Sequence, residues 1–242
     1  MNDIIILFDI DGTLTEPRCK IEQKMINFLS TLKRQYKIGC VGGSDFKKAK
    51  EQVGENILEI FDYCFFENGL DAYKNKELIE KQNLSKYIGN EKLNKFINFV
   101  LKYISELDIP IKTGTFIEFR NGMINISPIG RNCSHEERND FEKYDNIHKI
   151  RETMICILKK EFSEYNFNYS IGGQISFDVF PIGWDKTYCL KFLSEFKYIY
   201  FIGDKTDIGG NDYEIFESER TISFKTKGVD DTIRKIKIEL YK

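Results

Sequence analysis

The chain has 242 residues, and its 41% hydrophobic and 14% aromatic content can fill a protein core, which excludes a disordered chain. The 36 basic residues nearly balance 38 acidic residues, so the net charge of −2 gives no electrostatic basis for binding nucleic acid or an anionic membrane. With only two histidines, the chain has little material for a serine-hydrolase triad or a multi-histidine metal site.

Targeting and redox features point to the cytoplasm. The first residues form no basic and apolar leader, and the apolar run Ile4 to Phe8 is too short to span a bilayer. The six cysteines contain no CxxC pair, and most lie in apolar stretches. We therefore expect reduced, mostly buried thiols in a cytoplasmic protein.

The first third of the chain alternates strand and helix patterns. The apolar run Ile4 to Phe8 ends in Asp9, as a buried parallel strand does when it delivers a side chain at its carboxyl end. The pattern then predicts a helix, a strand, a helix and a strand, at about 21–32, 37–41, 46–57 and 63–66. This order indicates right-handed βαβ units and a parallel sheet.

The pattern changes after about residue 80. Helices are predicted at 91–107, 134–146 and 148–164, and hairpins at 116–127, around Asn121-Gly122, and at 168–180. The strand and helix alternation returns at Asp185. The simplest arrangement is a parallel-sheet α/β core of residues 1–81 and 184–242, interrupted by an α+β cap of residues 82–183 with an antiparallel sheet.

Two carboxylates stand at the end of the first strand, in the string FDIDGTL. Asp9 and Asp11 repel each other unless a cation or a shared proton compensates, and Mg²⁺ favours such oxygen ligands. One carboxylate can attack phosphorus while the other moves a proton. The alternatives are an ordinary strand end or a calcium loop, although the regular ligand spacing of an EF-hand is missing.

Three later segments add groups suited to phosphate chemistry. Ser44 can donate to a phosphate oxygen, although capping the following helix is at least as common a role for such a serine. Lys186 can neutralise charge between nucleophile and phosphate. Asp204 directly follows an apolar strand and can complete a Mg²⁺ site. Asn211 and Asp212 can hold the metal ligands in place without binding the ion themselves. For Asp212, a simple charge at a helix start is the alternative.

The order and spacing of these pieces resemble the haloacid dehalogenase superfamily of phosphotransferases. This resemblance implies a Rossmann-like core with an inserted cap.

Arginines cluster within the predicted cap. Arg120, Arg131 and Arg138 fall in one short stretch, although the chain has far more lysines than arginines. Because the planar guanidinium group grips phosphate with two hydrogen bonds, the cluster indicates a second phosphate site away from Asp9. A merely solvated positive face is the alternative.

Strings along nearly the whole chain resemble the eukaryotic phosphomannomutase family: FDIDGTLTEPR, VGGSDF, FFENG, IEFRNGMINISPIGR, ERNDFEKYD, GGQISFDVFP, GWDKTYCL and GDKTDIGGND. The resemblance implies an isomerase that interconverts mannose 6-phosphate and mannose 1-phosphate, for the GDP-mannose used in protein glycosylation. It further implies an aspartyl-phosphate intermediate, Mg²⁺, a hexose 1,6-bisphosphate activator and a cytosolic homodimer joined through the caps.

The resemblance also assigns roles to residues. It makes Asp9 the nucleophile, Asp11 the general acid and base, and Asp204 a Mg²⁺ ligand beside Asp9 and the main-chain carbonyl of Asp11. The substrate-binding positions are Arg18, Arg120, Arg131, Arg138, Ser176 and Asp178. A peripheral cation site would use Phe216 and Thr221, but Ser218 stands where the family has an acidic ligand.

Two other functions stay open at this stage. A sugar-phosphate phosphatase of the same superfamily would use the same core residues with water as the acceptor. A non-catalytic dimerisation module would keep the fold without the chemistry. The cap arginines favour the mutase over the first alternative, and the intact core carboxylates count against the second.

Overall fold

The computed structural model describes residues 3–17 and 19–240. Its strands are β1 (Ile4–Asp9), β2 (Lys37–Val41), β3 (Tyr63–Phe66), β4 (Asp71–Lys74), β5 (Glu77–Lys81), β6 (Ile117–Phe119), β7 (Ile124–Ile126), β8 (Phe167–Gly172), β9 (Ser176–Pro181), β10 (Tyr198–Gly203) and β11 (Thr221–Lys225). Its α-helices are α1 (Gln23–Leu32), α2 (Phe46–Val53), α3 (Ile57–Ile60), α4 (Leu84–Ile88), α5 (Asn90–Glu106), α6 (His135–His148), α7 (Ile150–Glu161), α8 (Tyr213–Phe216) and α9 (Val229–Leu240).

The chain divides into two compact units, 1–81 with 183–242, and 82–182. The first unit contains a seven-stranded sheet in the order β11-β10-β1-β2-β3-β4-β5. The five strands from β11 to β3 are parallel, and β4 and β5 continue the sheet antiparallel. This mostly parallel sheet between helices confirms the α/β class of the core.

Strand β1 is the central one of the five parallel strands and is buried on both faces. Ile6 and Phe8 pack in the hydrophobic cluster that includes residues of α1, α2 and α9. Ile5 and Leu7 pack in a second cluster, with Cys189 among its members. Because successive side chains of a strand point to opposite faces, only a continuous apolar run can fill both clusters.

The second unit is built on a four-stranded antiparallel sheet in the order β6-β7-β9-β8. The hairpin predicted around Asn121-Gly122 is present, because β6 and β7 pair antiparallel on either side of it. Phe177 of β9 is fully buried, as is Phe96 of α5, whose ring meets those of Phe162 and Phe167 edge to face. Aromatic packing of this kind forms the apolar core of this unit.

Several elements differ from the sequence predictions. Strands β4, β5 and β11 were not predicted, and the predicted second helix is divided into α2 and α3 by Gly54, whose φ is +116°. The segment after Asp185 forms a 3₁₀ helix, Lys186–Leu193.

The six cysteines form no disulfide. Four are buried, in agreement with the expectation of mostly buried thiols, and Cys19 and Cys156 are exposed. Of the helices within the described ranges, none combines the length and apolar character needed to span a bilayer.

Candidate active site

The loop after β1 turns within four residues of Asp9. The carbonyl of Ile10 accepts hydrogen bonds from the N–H groups of Leu14 and Thr15 at 3.0 and 3.1 Å. Gly12 has φ +92°, and a Cβ at this position would lie 2.7 Å from Cγ of Asp204. A glycine is therefore required here both by the backbone conformation and by the carboxylate packed against it.

Lys186 forms ion pairs with two buried carboxylates of the first unit. Its Nζ contacts Oδ1 of Asp9 and Oδ1 of Asp212, and the three side chains are at most 4% exposed. The second oxygen of Asp212 accepts the N–H of Lys205 at 3.0 Å. A buried lysine with two carboxylate partners is held in one position, so its charge is fixed beside Asp9.

Burial sets the electrostatics of this cluster. Burial raises the pKa of Asp9 to about 7, and the negative charges of Asp212 and Asp204 act in the same direction, while Lys186 opposes them. Burial alone would lower the pKa of Lys186, but the charges of Asp9 and Asp212 outweigh it and raise that pKa above its usual value. Further positive charge nearby would therefore increase the fraction of Asp9 that is a carboxylate at neutral pH.

A divalent cation fits this cluster. One carboxylate oxygen from each of Asp9, Asp204 and Asp212 lies within 4.8 Å of the others. Oδ1 of Asp204 is buried and has no hydrogen-bond partner among the described residues. Three carboxylates and one ammonium carry a charge of −2 when all are ionised, which a hard divalent ion with oxygen ligands would offset.

Asp11 lies apart from this acidic cluster. Its carboxyl group is half-buried, and Oδ1 accepts a hydrogen bond from Nε2 of Gln52 at 2.9 Å. Sequence reasoning missed Gln52, because 41 residues separate it from Asp11 and no local spacing links them.

Ser44 precedes helix α2 but does not cap it. Asp45 is the N-cap residue, and its side chain accepts the N–H of Lys48 at 2.8 Å. Ser44 is half-buried, and its carbonyl accepts the N–H of Glu67 at 2.9 Å. The capping alternative for Ser44 is therefore wrong, since the neighbouring aspartate fills that role.

The arginines of the second unit are joined by an acidic residue. Glu118 pairs with Arg120, whose Nε and one terminal nitrogen each lie 3.3 Å from a carboxylate oxygen, and with Nε of Arg131. The hydrogen bonds and charge of Arg120, with the charge of Arg131, lower the pKa of Glu118. Arg138 donates to the carbonyl of Arg131 at 3.2 Å. The three guanidinium groups therefore belong to one network.

Asn125 extends this network to β9. Its Oδ1 accepts from Arg131 at 2.5 Å, and its Nδ2 donates to Oγ of Ser176 at 3.1 Å and to Oδ1 of Asp178 at 2.7 Å. Asn125 was not among the sequence candidates. The feature that could have marked it is its residue type, because asparagine is depleted in strands and this one lies in β7 with only 4% of its surface exposed.

The remaining candidates lie elsewhere. Asn211 is exposed, whereas the adjacent Asp212 is fully buried. Phe216 ends α8, and the hydroxyl of Thr221 donates to the carbonyl of Ile215 at 2.7 Å. Arg18 lies outside the described residues.

Comparisons with known proteins give the class first. The fold is similar to that of a solved IMP-nucleotidase from Plasmodium falciparum, with a TM-score of 0.61 and 16% identity over 100% of this chain and 69% of that one. This likeness defines the class of fold, an α/β fold that the chain shares with that nucleotidase.

Sequence comparison gives the family. A model of the eukaryotic phosphomannomutase family matches residues 25–242. Phosphomannomutase 2 of Dictyostelium discoideum is 62% identical over 95% of this chain and 93% of that protein. A phosphomannomutase of Dendrobium officinale is 58% identical over 98% of this chain and 94% of that protein. The chain belongs to the eukaryotic phosphomannomutase family.

Proposed function

We infer that this chain is a phosphomannomutase, an isomerase that interconverts mannose 6-phosphate and mannose 1-phosphate. The observation that carries this conclusion is the family match over residues 25–242, with curated relatives at 58 to 62% identity along more than nine-tenths of their length. The match includes both compact units, so it extends beyond the core that many phosphotransferases share.

Phosphoryl transfer is assigned to the two carboxylates after β1. The Asp9 carboxylate attacks a phosphorus of a hexose 1,6-bisphosphate and becomes an aspartyl phosphate, while the bond from phosphorus to the hexose oxygen breaks and that oxygen takes a proton from Asp11. The phosphoryl group then passes to a hexose hydroxyl, whose proton Asp11 accepts. Lys186 is fixed beside Asp9 and stabilises negative charge on the transferring group, and Ser44 donates to its oxygens. Asp212 holds Lys186 in place from its other side.

Mg²⁺ is the cation that we assign to the core cluster. Asp9, Asp204 and the main-chain carbonyl of Asp11 are the groups that would hold it, with Asp212 and Asn211 next to them. The orphaned buried oxygen of Asp204 supports this assignment. When bound, the ion supplies positive charge that favours the ionised form of Asp9 and offsets charge on phosphate. The peripheral cation site at Phe216 and Thr221 lacks an acidic ligand, because Ser218 stands there.

The phosphate that is not being transferred is assigned to arginines. Arg120, Arg131 and Arg138 share one network, and bidentate guanidinium groups suit phosphate. Ser176 and Asp178 carry hydroxyl and carboxylate groups that suit sugar hydroxyls, and Arg18 is assigned to substrate binding from its position in the motif. A phosphate bound here competes with Glu118 for two of the guanidinium groups.

The cellular setting follows from the family. A hexose 1,6-bisphosphate would phosphorylate Asp9, because either of its phosphates can be transferred. The product would feed GDP-mannose synthesis in the cytoplasm. A homodimer through the second unit is supported by the open edge of β6, where Phe119 is 47% exposed.

A coupled assay tests the proposal. Purified protein is given mannose 1-phosphate with Mg²⁺ and a hexose 1,6-bisphosphate, and both mannose 6-phosphate and inorganic phosphate are followed. The mutase predicts rapid isomerisation that depends on the bisphosphate and stops when a chelator removes the metal. Phosphate release without isomerisation would instead identify the sugar-phosphate phosphatase.

A further inference from the structure

One side chain in contact with Asp11 has so far been given no role in the proposed phosphoryl transfer. Nε2 of Gln52 donates to Oδ1 of Asp11 at 2.9 Å. Gln52 is 9% exposed and lies in the last turn of α2, next to Val53, which is 2% exposed and packs in the core. The packing of Val53 therefore holds the backbone of Gln52 in place, and the side-chain amide of Gln52 reaches Asp11 from this fixed position.

An amide donor suits a carboxyl group that must alternate between two protonation states. The amide N–H does not ionise, so it holds Asp11 without competing for the proton. Oδ1 accepts this hydrogen bond when Asp11 is a carboxylate, and also when the proton is on Oδ2. The contact thus holds the carboxyl group of Asp11 in one orientation in both directions of the reaction.

The backbone of Gln52 makes a second connection to the same segment. Its carbonyl accepts the N–H of Ile21 at 2.8 Å, on the chain that leads from the DIDGT loop to α1. Helix α2 begins at Phe46, two residues after Ser44. One short helix therefore fixes the orientation of Asp11 at its last turn and follows directly from Ser44 at its first.

We propose that Gln52 is a positioning residue for phosphoryl transfer, acting through Asp11; this inference rests on the proposed mutase function. In the transfer step, the hexose hydroxyl oxygen forms a bond to phosphorus, and its proton moves to the carboxylate of Asp11. The bond between phosphorus and Asp9 breaks, and its electron pair returns to the Asp9 carboxylate. Gln52 keeps the carboxyl group of Asp11 in one orientation during this step.

The test uses Gln52→Met, which keeps the length of the side chain and removes the donor, with Glu51→Gln as a control at an exposed neighbouring position. For mannose 1-phosphate, Gln52→Met lowers kcat about tenfold and leaves KM within about twofold, because only the orientation of Asp11 is lost. The control keeps both constants.

A second substrate separates positioning from damage to the whole site. The first phosphoryl transfer from p-nitrophenyl phosphate to Asp9 releases p-nitrophenolate, which leaves without a proton and does not need Asp11. We expect Gln52→Met to release p-nitrophenolate in a single turnover at the wild-type rate. An equal loss with both substrates, or an unchanged kcat for mannose 1-phosphate, would overturn the role of Gln52.

Gln52→Glu gives an independent variant if Gln52→Met does not fold, since it keeps the shape and loses the amide donor. The same selective loss of kcat supports the inference, and wild-type kcat contradicts it. Failure of the proposed function is distinct from either result, because the wild-type protein itself would then not isomerise mannose phosphates.

Discussion

The candidate site residues of the two compact units hold their charges in opposite ways. In the first unit, Asp9, Lys186 and Asp212 are almost fully excluded from water. In the second unit, the side chains of Arg120 and Glu118 are 40% and 37% exposed. Buried charges are fixed before substrate arrives and act on charge that develops during transfer, whereas half-exposed charges can rearrange around a bound phosphate. We therefore expect changes in the first unit to affect kcat and stability, and changes in the second to affect KM.

The largest effect is expected from Asp9→Asn. An amide cannot form the acyl phosphate, so turnover falls by a factor on the order of 10⁴ or more. The substitution also removes one of two carboxylates paired with Lys186 and leaves a one-to-one pair with Asp212. Steady-state rates measure the loss of turnover, and thermal unfolding shows whether the variant with the single Lys186–Asp212 pair is folded. Wild-type turnover in a folded variant would refute Asp9 as the nucleophile.

Asp11→Asn is expected to come next. Loss of the general acid and base slows transfer to the hexose hydroxyl by about 10²- to 10⁴-fold. The amide oxygen of the substituted side chain can still accept the hydrogen bond from Gln52, so the loop remains in place. Comparison of kcat for mannose 1-phosphate with the single-turnover rate for p-nitrophenyl phosphate checks this, and equal losses for the two substrates would contradict the assignment.

The raised pKa of Asp9 predicts a pH-dependent stability difference in the presence of a chelator. The folded chain keeps the Asp9 proton up to about pH 7, whereas the unfolded chain releases it near 3.8. A raised carboxyl pKa means that the folded state binds more protons within this window, so stability falls as the pH rises through it.

Asp9→Asn has no ionisable carboxyl group at this position, so it lacks this pH dependence of stability and provides the matched reference. Its free energy of unfolding rises relative to the wild type between about pH 4 and pH 7, by on the order of 3 kcal/mol. Denaturant unfolding of both proteins at several pH values measures the difference. Parallel curves for the two proteins would show that Asp9 is not destabilised by burial.

The smallest effect is expected in the second unit, from Arg138→Lys. The charge is kept but the planar fork is lost, so KM for mannose 1-phosphate rises about tenfold while kcat changes little. Lys143→Arg, on an exposed turn of the same helix α6, serves as the control. An unchanged KM for Arg138→Lys would indicate a merely solvated positive face.

The sequence predicted the parts of the molecule that depend on local pattern. The apolar run of β1, the Asn121-Gly122 hairpin and the long helix α5 each have a periodicity or turn signal within a few residues. Strands β4, β5 and β11 were missed because they are only four or five residues long and contain charged or polar side chains, which interrupt the apolar run that predicts a buried strand.

The candidate site residues divide in the same way into those that a local sequence pattern predicts and those that it does not. Asp9 and Asp204 could be proposed from sequence because parallel strands end at a common edge of a sheet. Gln52 and Asn125 could not, since each is defined by a hydrogen bond to a residue more than 40 positions away. Glu118 was missed because reasoning from charge alone counted the arginines and not the carboxylate that they share.

The most direct test of the account is the location of the phosphoryl group during turnover. Wild-type protein is mixed with a hexose 1,6-bisphosphate and Mg²⁺, quenched in acid within the first turnover, digested and analysed by mass spectrometry. The proposed mechanism predicts a phosphorylated peptide with the modification on Asp9, and no such peptide from Asp9→Asn. A phosphoryl group on another residue, or isomerisation without any phosphorylated protein, would contradict it.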